Sequence, residues 1–336
     1  MKNEQRRMKI GVIGAGQIVE DGHLPAIVGR RDVEVVWITD IDDNRRERLA
    51  RMFKVGTVPI DSAVDRIKGV DFCLIAIPYG ARPQYLDACA DAGVATYVEK
   101  PLARTQAEHA ALVERFPPHK LAVGFQRRFY RSVAQLRSLI DSDIFGPPRS
   151  ATVRFENYSM KSGGGRYITN AKIAGGGIVI EVGIHFLDIM VTLFNPTAVT
   201  TFGVNALGEH GIDYHSESHH ELVCSFGVLP VNCHFSLLRS AENAILIEFD
   251  SCLASIGMQP DDPILIRSKK DLRSFELNCT KTPPGYLATS AAEAFASAWD
   301  AIIHGVISRT DHELSAAKST MTTLWVEEIY KGMQFV

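Results

Sequence analysis

The sequence lacks almost every feature that would tie it to a large charged partner, a membrane or a metal. Its 36 basic and 39 acidic side chains leave a formal net charge of −3. Without an excess of positive charge, a chain has no broad attraction for nucleic acid or for an anionic membrane surface. No apolar stretch reads as reaching the ~18 residues that span a bilayer. The polar residues 1–7 run into a glycine-rich segment, where a signal peptide would have its apolar core. The six cysteines, Cys73, Cys89, Cys224, Cys233, Cys252 and Cys279, contain no Cys-x-x-Cys pair, which excludes the compact zinc and redox motifs. Four stand in apolar or β-like runs, as buried free thiols of a reducing, cytoplasmic compartment do. Repeats and low-complexity tracts are also absent. What is present is a chain of 336 residues, 46% apolar and 22% charged, long enough for two domains whose cores need no staple. A small neutral or modestly charged ligand suits it best.

The run from Lys9 to Ile13 reads as a buried strand that ends in Gly14-Ala15-Gly16-Gln17-Ile18, at the mouth of a helix reaching toward Val28. A G-x-G at such a turn lets backbone N–H groups and the helix dipole meet a pyrophosphate. Val19 replaces the third glycine of the dinucleotide fingerprint, so the loop taken alone is a weak signal. Its context strengthens it. A second strand, Val33 to Ile38, ends near Asp40, 24 positions beyond Gly16, where an acidic side chain would hold a ribose 2′-hydroxyl. The same charge would repel a 2′-phosphate, which favours NAD over NADP. Arg45, Arg46 and Arg48 read as a solvated helix face.

Strands Val70 to Ile77, ending at Pro78, and Ala95 to Glu99 alternate with helices at 62–68 and 83–92. This is the pattern of a doubly wound parallel sheet. Its strand ends would border one crevice, with Gly14, Asp40, Ile77-Pro78 and Glu99-Lys100-Pro101 on the rim. Lys100 there is either a surface lysine or a partly desolvated ammonium that polarises a substrate oxygen.

At residue 127 the character changes to many β-like segments and few helical ones, so residues 1–126 read as a dinucleotide-binding domain and 127–336 as a substrate domain. The second domain is an α+β unit on a large, mostly antiparallel open sheet. Its C-terminal helices, near 291–307 and 315–333, belong to it or pack back on the first domain. Within it, Gly175-Gly176-Gly177 leads into a segment apolar nearly all round, which as a helix must be buried. Glu181, His185 and Asp188 stand on it at i, i+4 and i+7. Such a stripe is either a histidine acid/base held by carboxylates or a self-satisfied buried network. The segment with Glu209, His210, Asp213, His215, Glu217, His219 and His220 reads as a solvated polar loop or a lid over the cleft, and not as a metal site.

With these residues in view the chain resembles the Gfo/Idh/MocA (glucose-fructose oxidoreductase, inositol dehydrogenase, rhizopine catabolism) family over nearly its whole length. The landmarks appear in order: Gly11-Val12-Ile13-Gly14-Ala15-Gly16 with His23-Leu24-Pro25-Ala26, Asp40, Pro78, Glu99-Lys100-Pro101, Gly124-Phe125-Gln126-Arg127-Arg128-Phe129, Gly175-Gly176-Gly177, and Gly183-Ile184-His185 with Asp188. The resemblance implies an N-terminal Rossmann domain and a C-terminal domain whose open sheet lines the substrate site and joins subunits into a homodimer or homotetramer. It also implies NAD(P)-dependent hydride transfer at a carbon of a sugar, sugar derivative or cyclitol, with Lys100 and His185 at the reacting carbinol.

On that basis the catalytic residues are Lys100, His185 and Glu181. Cofactor contacts fall to Gly14, Gly16, Gln17, Ile18, Asp40, Ile77, Pro78, Glu99 and Lys100, and substrate contacts to Arg127, Tyr158, Arg166, Tyr167 and Asp188, without a metal. Two departures from the family stand out. Glu181 replaces the usual aspartate before the histidine, and Tyr79 and Arg82 stand where asparagine and histidine are common, which suggests altered contacts and a charged substrate. Two other readings stay open: a glycosidase using transient redox at a sugar carbon, and a non-catalytic NAD-bound sensor or scaffold.

Overall fold

The computed structural model describes residues 6–158, 170–277 and 288–335. Their contacts define two units, the first within Met1–Leu102, Glu108–Gln126 and Ala291–Lys318, and the second within Ala103–Ala107, Arg127–Ser290 and Ser319–Val336.

The first unit is built on strands β1 (Met8–Ile13), β2 (Val33–Thr39), β3 (Phe72–Ile75), β4 (Ala95–Val98) and β5 (Leu121–Val123). They lie in the order β2-β1-β3-β4-β5, and every neighbouring pair is parallel. All four residues of β3 and of β4 are buried. A parallel strand covered on both faces has no use for alternation, which is why Phe72-Cys73-Leu74-Ile75 is uniformly apolar. The chain leaves β1 toward β2 and later returns to β3 on the other side. That reversal opens a crevice outside the carboxyl ends of β1 and β3. The helical run 17–27 begins there and contains a π turn at Val19–His23. The helix Ala291–Ser308 also belongs to this unit. Its Trp299 ring packs 5.2 Å from Tyr97 of β4 and 6.0 Å from His23.

The second unit carries β6 (Pro148–Glu156), β7 (Ala198–Glu209), β8 (Ile212–Cys224), β9 (Gly227–Ser236), β10 (Ala244–Phe249), β11 (Cys252–Ile256), β12 (Ile264–Ser268), β13 (Ser274–Leu277) and β14 (Gln334–Phe335). Their order is β13-β12-β11-β10-β6-β9-β8-β7-β14. Only the β6–β9 and β7–β14 pairs are parallel. The helix Ile184–Phe194 sits on one face, where the Phe186 ring stacks between Phe155 of β6, at 5.7 Å, and Phe235 of β9, at 6.4 Å.

Three expectations are corrected. The segment 209–220 is not a lid loop. It is the end of β7, a turn at His210 and Gly211, and the first half of β8. Its buried positions include the polar residues Asp213, Ser216, Ser218 and His220, of which Asp213, Ser218 and His220 find hydrogen-bond partners inside the unit. The period-2 signal of a strand was therefore masked by polarity on both faces. The segment Ala171–Phe194 is long and apolar enough to cross a membrane by composition, its most apolar window having mean hydropathy 1.9, but 83% of that window is buried inside the protein. Finally, the stripe is not carried by one regular α-helix: Glu181 stands on a π turn at Val179–Gly183, and His185 and Asp188 on the α-helix that follows it.

Two buried histidines give a pH dependence. Burial pushes His220 of β8 down to about 3 and His312, beyond the helix Ala291–Ser308, down to about 4. Both lie below the ordinary value near 6.5, so the folded state prefers them neutral. Their contribution is complete above about pH 6.5 and is lost as pH falls toward 4. The urea midpoint is expected to drop from pH 6.5 to 4.5 by the equivalent of about 1.4 kcal/mol per pH unit for each histidine. His312→Phe should flatten the slope for the first unit. An acid-insensitive midpoint would contradict this.

Candidate active site

In the first unit the glycine loop has the shape a dinucleotide needs. Gly14 sits at φ +109°, and a Cβ there would lie 2.3 Å from the Ala76 carbonyl oxygen. Only glycine fits. A Cβ at Gly16 would meet nothing within 4 Å, while Gln17 and Ile18 are exposed. The backbone N–H groups at the helix start are thus open to an anion. Asp40, beyond β2, is buried. Its Oδ2 accepts from the Ala15 N–H at 2.7 Å and its Oδ1 from the Asp42 N–H at 2.9 Å. The carboxylate therefore braces the loop, and each oxygen keeps a further lone pair for a ribose hydroxyl. The nearby arginines are engaged by acids: Arg45 by Asp42 at 3.7 Å, Arg46 by Asp43 at 2.6 Å, and Arg48 by Glu20 at 2.6 Å.

Ile77 and Pro78 follow β3, and Glu99 and Lys100 follow β4, so both pairs stand at the same edge of the sheet as Gly14. Lys100 is half-buried. Glu99 is fixed from behind. The Trp299 indole N–H donates to His23 Nδ1 at 3.2 Å, and His23 Nε2 lies 2.9 Å from Glu99 Oε1. An indole can only donate, so Nδ1 must accept, the ring proton resides on Nε2, and it is donated to Glu99. Burial raises the Glu99 carboxyl, but the His23 hydrogen bond and the Lys100 and Arg82 charges hold it below the usual carboxylate range. Glu99 was expected to touch cofactor. The structure shows it joined to His23, a residue that sequence reading had marked only as a landmark.

Arg82 departs from expectation too. Its guanidinium does not face an open site for a charged substrate, since the residue is 4% exposed and donates to the main-chain carbonyls of Ile77, Glu99, Lys100 and Pro101.

In the second unit His185 is buried on the helix Ile184–Phe194, and Glu181 is half-buried on the π turn before it. This helix start is anchored by Asp213 of β8. Its carboxylate accepts from the N–H groups of Gly177, at 2.8 Å, and Val179, at 3.0 Å, and from the Tyr330 hydroxyl, at 2.6 Å. Burial raises the Asp213 carboxyl above its ordinary value despite those donors. A Cβ at Gly177 would strike the Asp213 carbonyl oxygen at 2.0 Å, which accounts for a glycine there. No signal in the sequence pairs Asp213 with a segment 36 residues earlier.

Asp188, expected at the substrate, is 1% exposed, and its two oxygens are engaged inside the protein. Arg128 holds them through Nε, at 2.7 Å, and a terminal nitrogen, at 2.5 Å, and Thr322 Oγ1 adds a bond of 2.9 Å. Asp188 therefore binds Arg128, one residue beyond Arg127. Arg127 lies with its guanidinium 5.0 Å from the Phe186 ring centroid, and burial lowers its pKa. Among the described residues no carboxylate pairs with it. Tyr158 is exposed, whereas Arg166 and Tyr167 lie outside the described residues.

Glu156, Glu217 and His234 bring potential metal ligands within 4.8 Å of one another. Arg239 already bridges the two carboxylates, at 2.8 and 2.6 Å. The imagined histidine group does not converge: His220 points toward Trp325 and His210 lies exposed in the turn.

A family model described as "Oxidoreductase family, NAD-binding Rossmann fold" matches residues 8–126, and the Gfo/Idh/MocA C-terminal domain matches 133–245. The chain belongs to the Gfo/Idh/MocA family. Among curated relatives, D-glucoside 3-dehydrogenase of Escherichia coli is 27% identical over 61% of this chain and 59% of its own. Inositol 2-dehydrogenase of Acidothermus cellulolyticus is 30% identical over 47% of each. The match thus spans about half the length of these relatives. Among solved structures, KijD10, a 3-ketoreductase from Actinomadura kijaniata in complex with NADP and TDP-benzene, superposes with TM-score 0.81 at 16% identity, covering 98% of this chain and 99% of its own. Aldose-aldose oxidoreductase from Caulobacter crescentus superposes with TM-score 0.81 at 15% identity, covering 97% of each. These structures share the fold: a parallel Rossmann sheet and a large, mostly antiparallel one.

Proposed function

We propose that the protein is an NAD-dependent oxidoreductase acting on a secondary alcohol or ketone of a sugar, sugar derivative or cyclitol. The observation that carries this is the edge of the parallel sheet, where an open glycine loop, Asp40 and Lys100 follow three strand ends. The relatives named for glucosides and inositol supply the substrate class. Gly14, Gly16, Gln17, Ile18, Asp40, Ile77 and Pro78 would hold the dinucleotide. When bound, its nicotinamide accepts or supplies the hydride.

The remaining chemistry falls to the chain's own side chains. His185 removes the proton of the reacting hydroxyl, and returns it in the reverse direction. The Lys100 ammonium donates a hydrogen bond to a substrate oxygen and stabilises the charge that builds there. Glu181 orients His185. Arg127, left without a carboxylate among the described residues, contacts substrate hydroxyls or an anionic substituent, together with Tyr158, Arg166 and Tyr167. Asp188 acts one step back, by holding Arg128.

NAD is favoured over NADP because a 2′-phosphate would meet the Asp40 charge and would have to pull Arg45 or Arg48 from an existing acid. Asp40→Ala also removes the brace to Ala15, so it is expected to weaken both nucleotides. The informative quantity is the ratio. Calorimetry should show the preference for NAD falling by about tenfold or more, as loss of a hydrogen bond to a charged group predicts. An unchanged ratio would remove Asp40 from the ribose contact.

We also propose self-association through the open face of the second sheet. The strand registers put Phe202, Leu207, Leu246, Leu253 and Leu265 on the face turned away from the helix Ile184–Phe194, and each is 37–51% exposed. A patch of that kind is expected to be covered by a second copy. In sedimentation, Leu253→Asp combined with Leu246→Asp should lower the particle mass from dimer or tetramer, and a wild-type monomer would refute the proposal. The five described cysteines are free and buried, which fits a cytoplasmic, reducing environment.

A further inference from the structure

We propose that Arg82 is a positioning residue for Lys100, acting through the main chain that carries the lysine. The inference rests on the role given to Lys100 above. Arg82 stands at the N-terminus of the helix Pro83–Ala92. Its Nε donates to the Ile77 carbonyl at 2.7 Å. One terminal nitrogen donates to the carbonyls of Glu99 and, at 2.5 Å, Pro101, and the other to Lys100 at 3.2 Å. Four carbonyls, from the segments leaving β3 and β4, thus converge on one planar guanidinium.

The arrangement suits arginine alone. A guanidinium presents five N–H donors in a fixed fork, so it serves acceptors on several sides at once, whereas an ammonium is a point donor and an imidazole has two nitrogens. The carbonyls of Glu99, Lys100 and Pro101 are consecutive. Fixing all three sets the peptide planes on both sides of the Lys100 Cα, and with them the direction of its Cα–Cβ bond. Glu99, bonded to His23, anchors the same segment from the opposite flank. A flexible lysine is placed only as well as its Cα–Cβ bond is aimed. Misplacement of a reacting group by about 1 Å can cost about 100-fold in rate.

The test uses the full-length protein carrying Arg82→Lys or Arg82→Gln, each with and without Lys100→Met. Calorimetry of NAD and the urea midpoint confirm that each variant is folded. Two readouts follow. The first is oxidation of myo-inositol and methyl glucoside with NAD. Arg82→Gln is expected to lower kcat by about 10- to 100-fold with little change in KM, Arg82→Lys by less, and neither should lower it further once Lys100 is methionine. The second needs no turnover: trace acetylation of the Lys100 amine by acetic anhydride, measured by peptide mass spectrometry against exposed Lys54. Its rate relative to Lys54 should change in Arg82→Gln and change less in Arg82→Lys.

Unchanged Lys100 labelling in a folded Arg82→Gln protein overturns the proposal, and decides the matter alone if neither sugar is oxidised. So does an equal loss of kcat with lysine and with methionine at position 100. If Lys100→Met itself keeps full turnover, the catalytic role of Lys100 fails, while the labelling result still judges the positioning. Should Arg82→Gln fail to fold, Arg82→Lys carries both readouts.

Discussion

Replacing His185 by alanine is expected to lower turnover by about 100- to 10,000-fold, the range that a positioned general base contributes, while NAD binding stays close to wild type. The reason for the separation lies in the architecture. His185 belongs to the second unit, on a helix held by Asp213 and by the Phe155-Phe186-Phe235 stack. The glycine loop and Asp40 belong to the first unit and are braced by their own contacts. Under the proposed roles, Lys100→Met should give a loss of similar order, because it would remove a donor to the oxygen on which charge develops. If the proposed roles hold, the two losses are expected to be less than additive, since residues that serve one reaction step do not act independently. Steady-state kinetics of the two single variants and the double variant check this. Wild-type turnover in either folded single variant would remove that residue from the chemistry.

Asp188→Ala is expected to be the most damaging substitution for stability. The Arg128 and Asp188 side chains are only 6% and 2% exposed. Removing the carboxylate takes the opposite charge away from a buried guanidinium, at a cost of about 3–5 kcal/mol. Converting both partners to apolar residues, as in Asp188→Leu with Arg128→Met, should recover much of that loss, because no unpaired charge remains. Urea unfolding of the second unit is the measurement. A loss in Asp188→Ala no larger than about 1 kcal/mol, the scale of an exposed pair, would show that water reaches Arg128.

What was legible in the sequence was what local chain geometry dictates. Gly14, Gly16 and Asp40 follow parallel strands whose runs of Ile, Val and Trp are plain in the sequence, and Glu99-Lys100-Pro101 closes another. The glycine triplet and the apolar helix around His185 were equally plain. What was not legible depends on partners distant along the chain. Nothing near Asp188 announces Arg128 and Thr322, so a buried ion pair was read as a substrate contact. Nothing near His23 announces Trp299, which lies 276 residues away. Residues 212–220, the first part of the strand Ile212–Cys224, read as a loop because the buried side chains of Asp213, Ser216, Ser218 and His220 are polar and hid the alternation. Arg82 was noticed as a departure but given the wrong partner, because main-chain carbonyls leave no trace in a sequence.

The central claim is direct hydride exchange between a sugar-type carbinol and a nicotinamide held by this chain. The most direct measurement is incubation of the protein and NAD with a panel of sugars, glucosides and cyclitols deuterated at carbon, followed by mass spectrometry of nucleotide and sugar. Deuterium appearing in reduced nicotinamide, matched by an equal amount of ketone product, is the expected result. Tightly bound nucleotide that acquires no deuterium from any member of the panel, with no ketone formed and none reduced in the reverse direction, would contradict it.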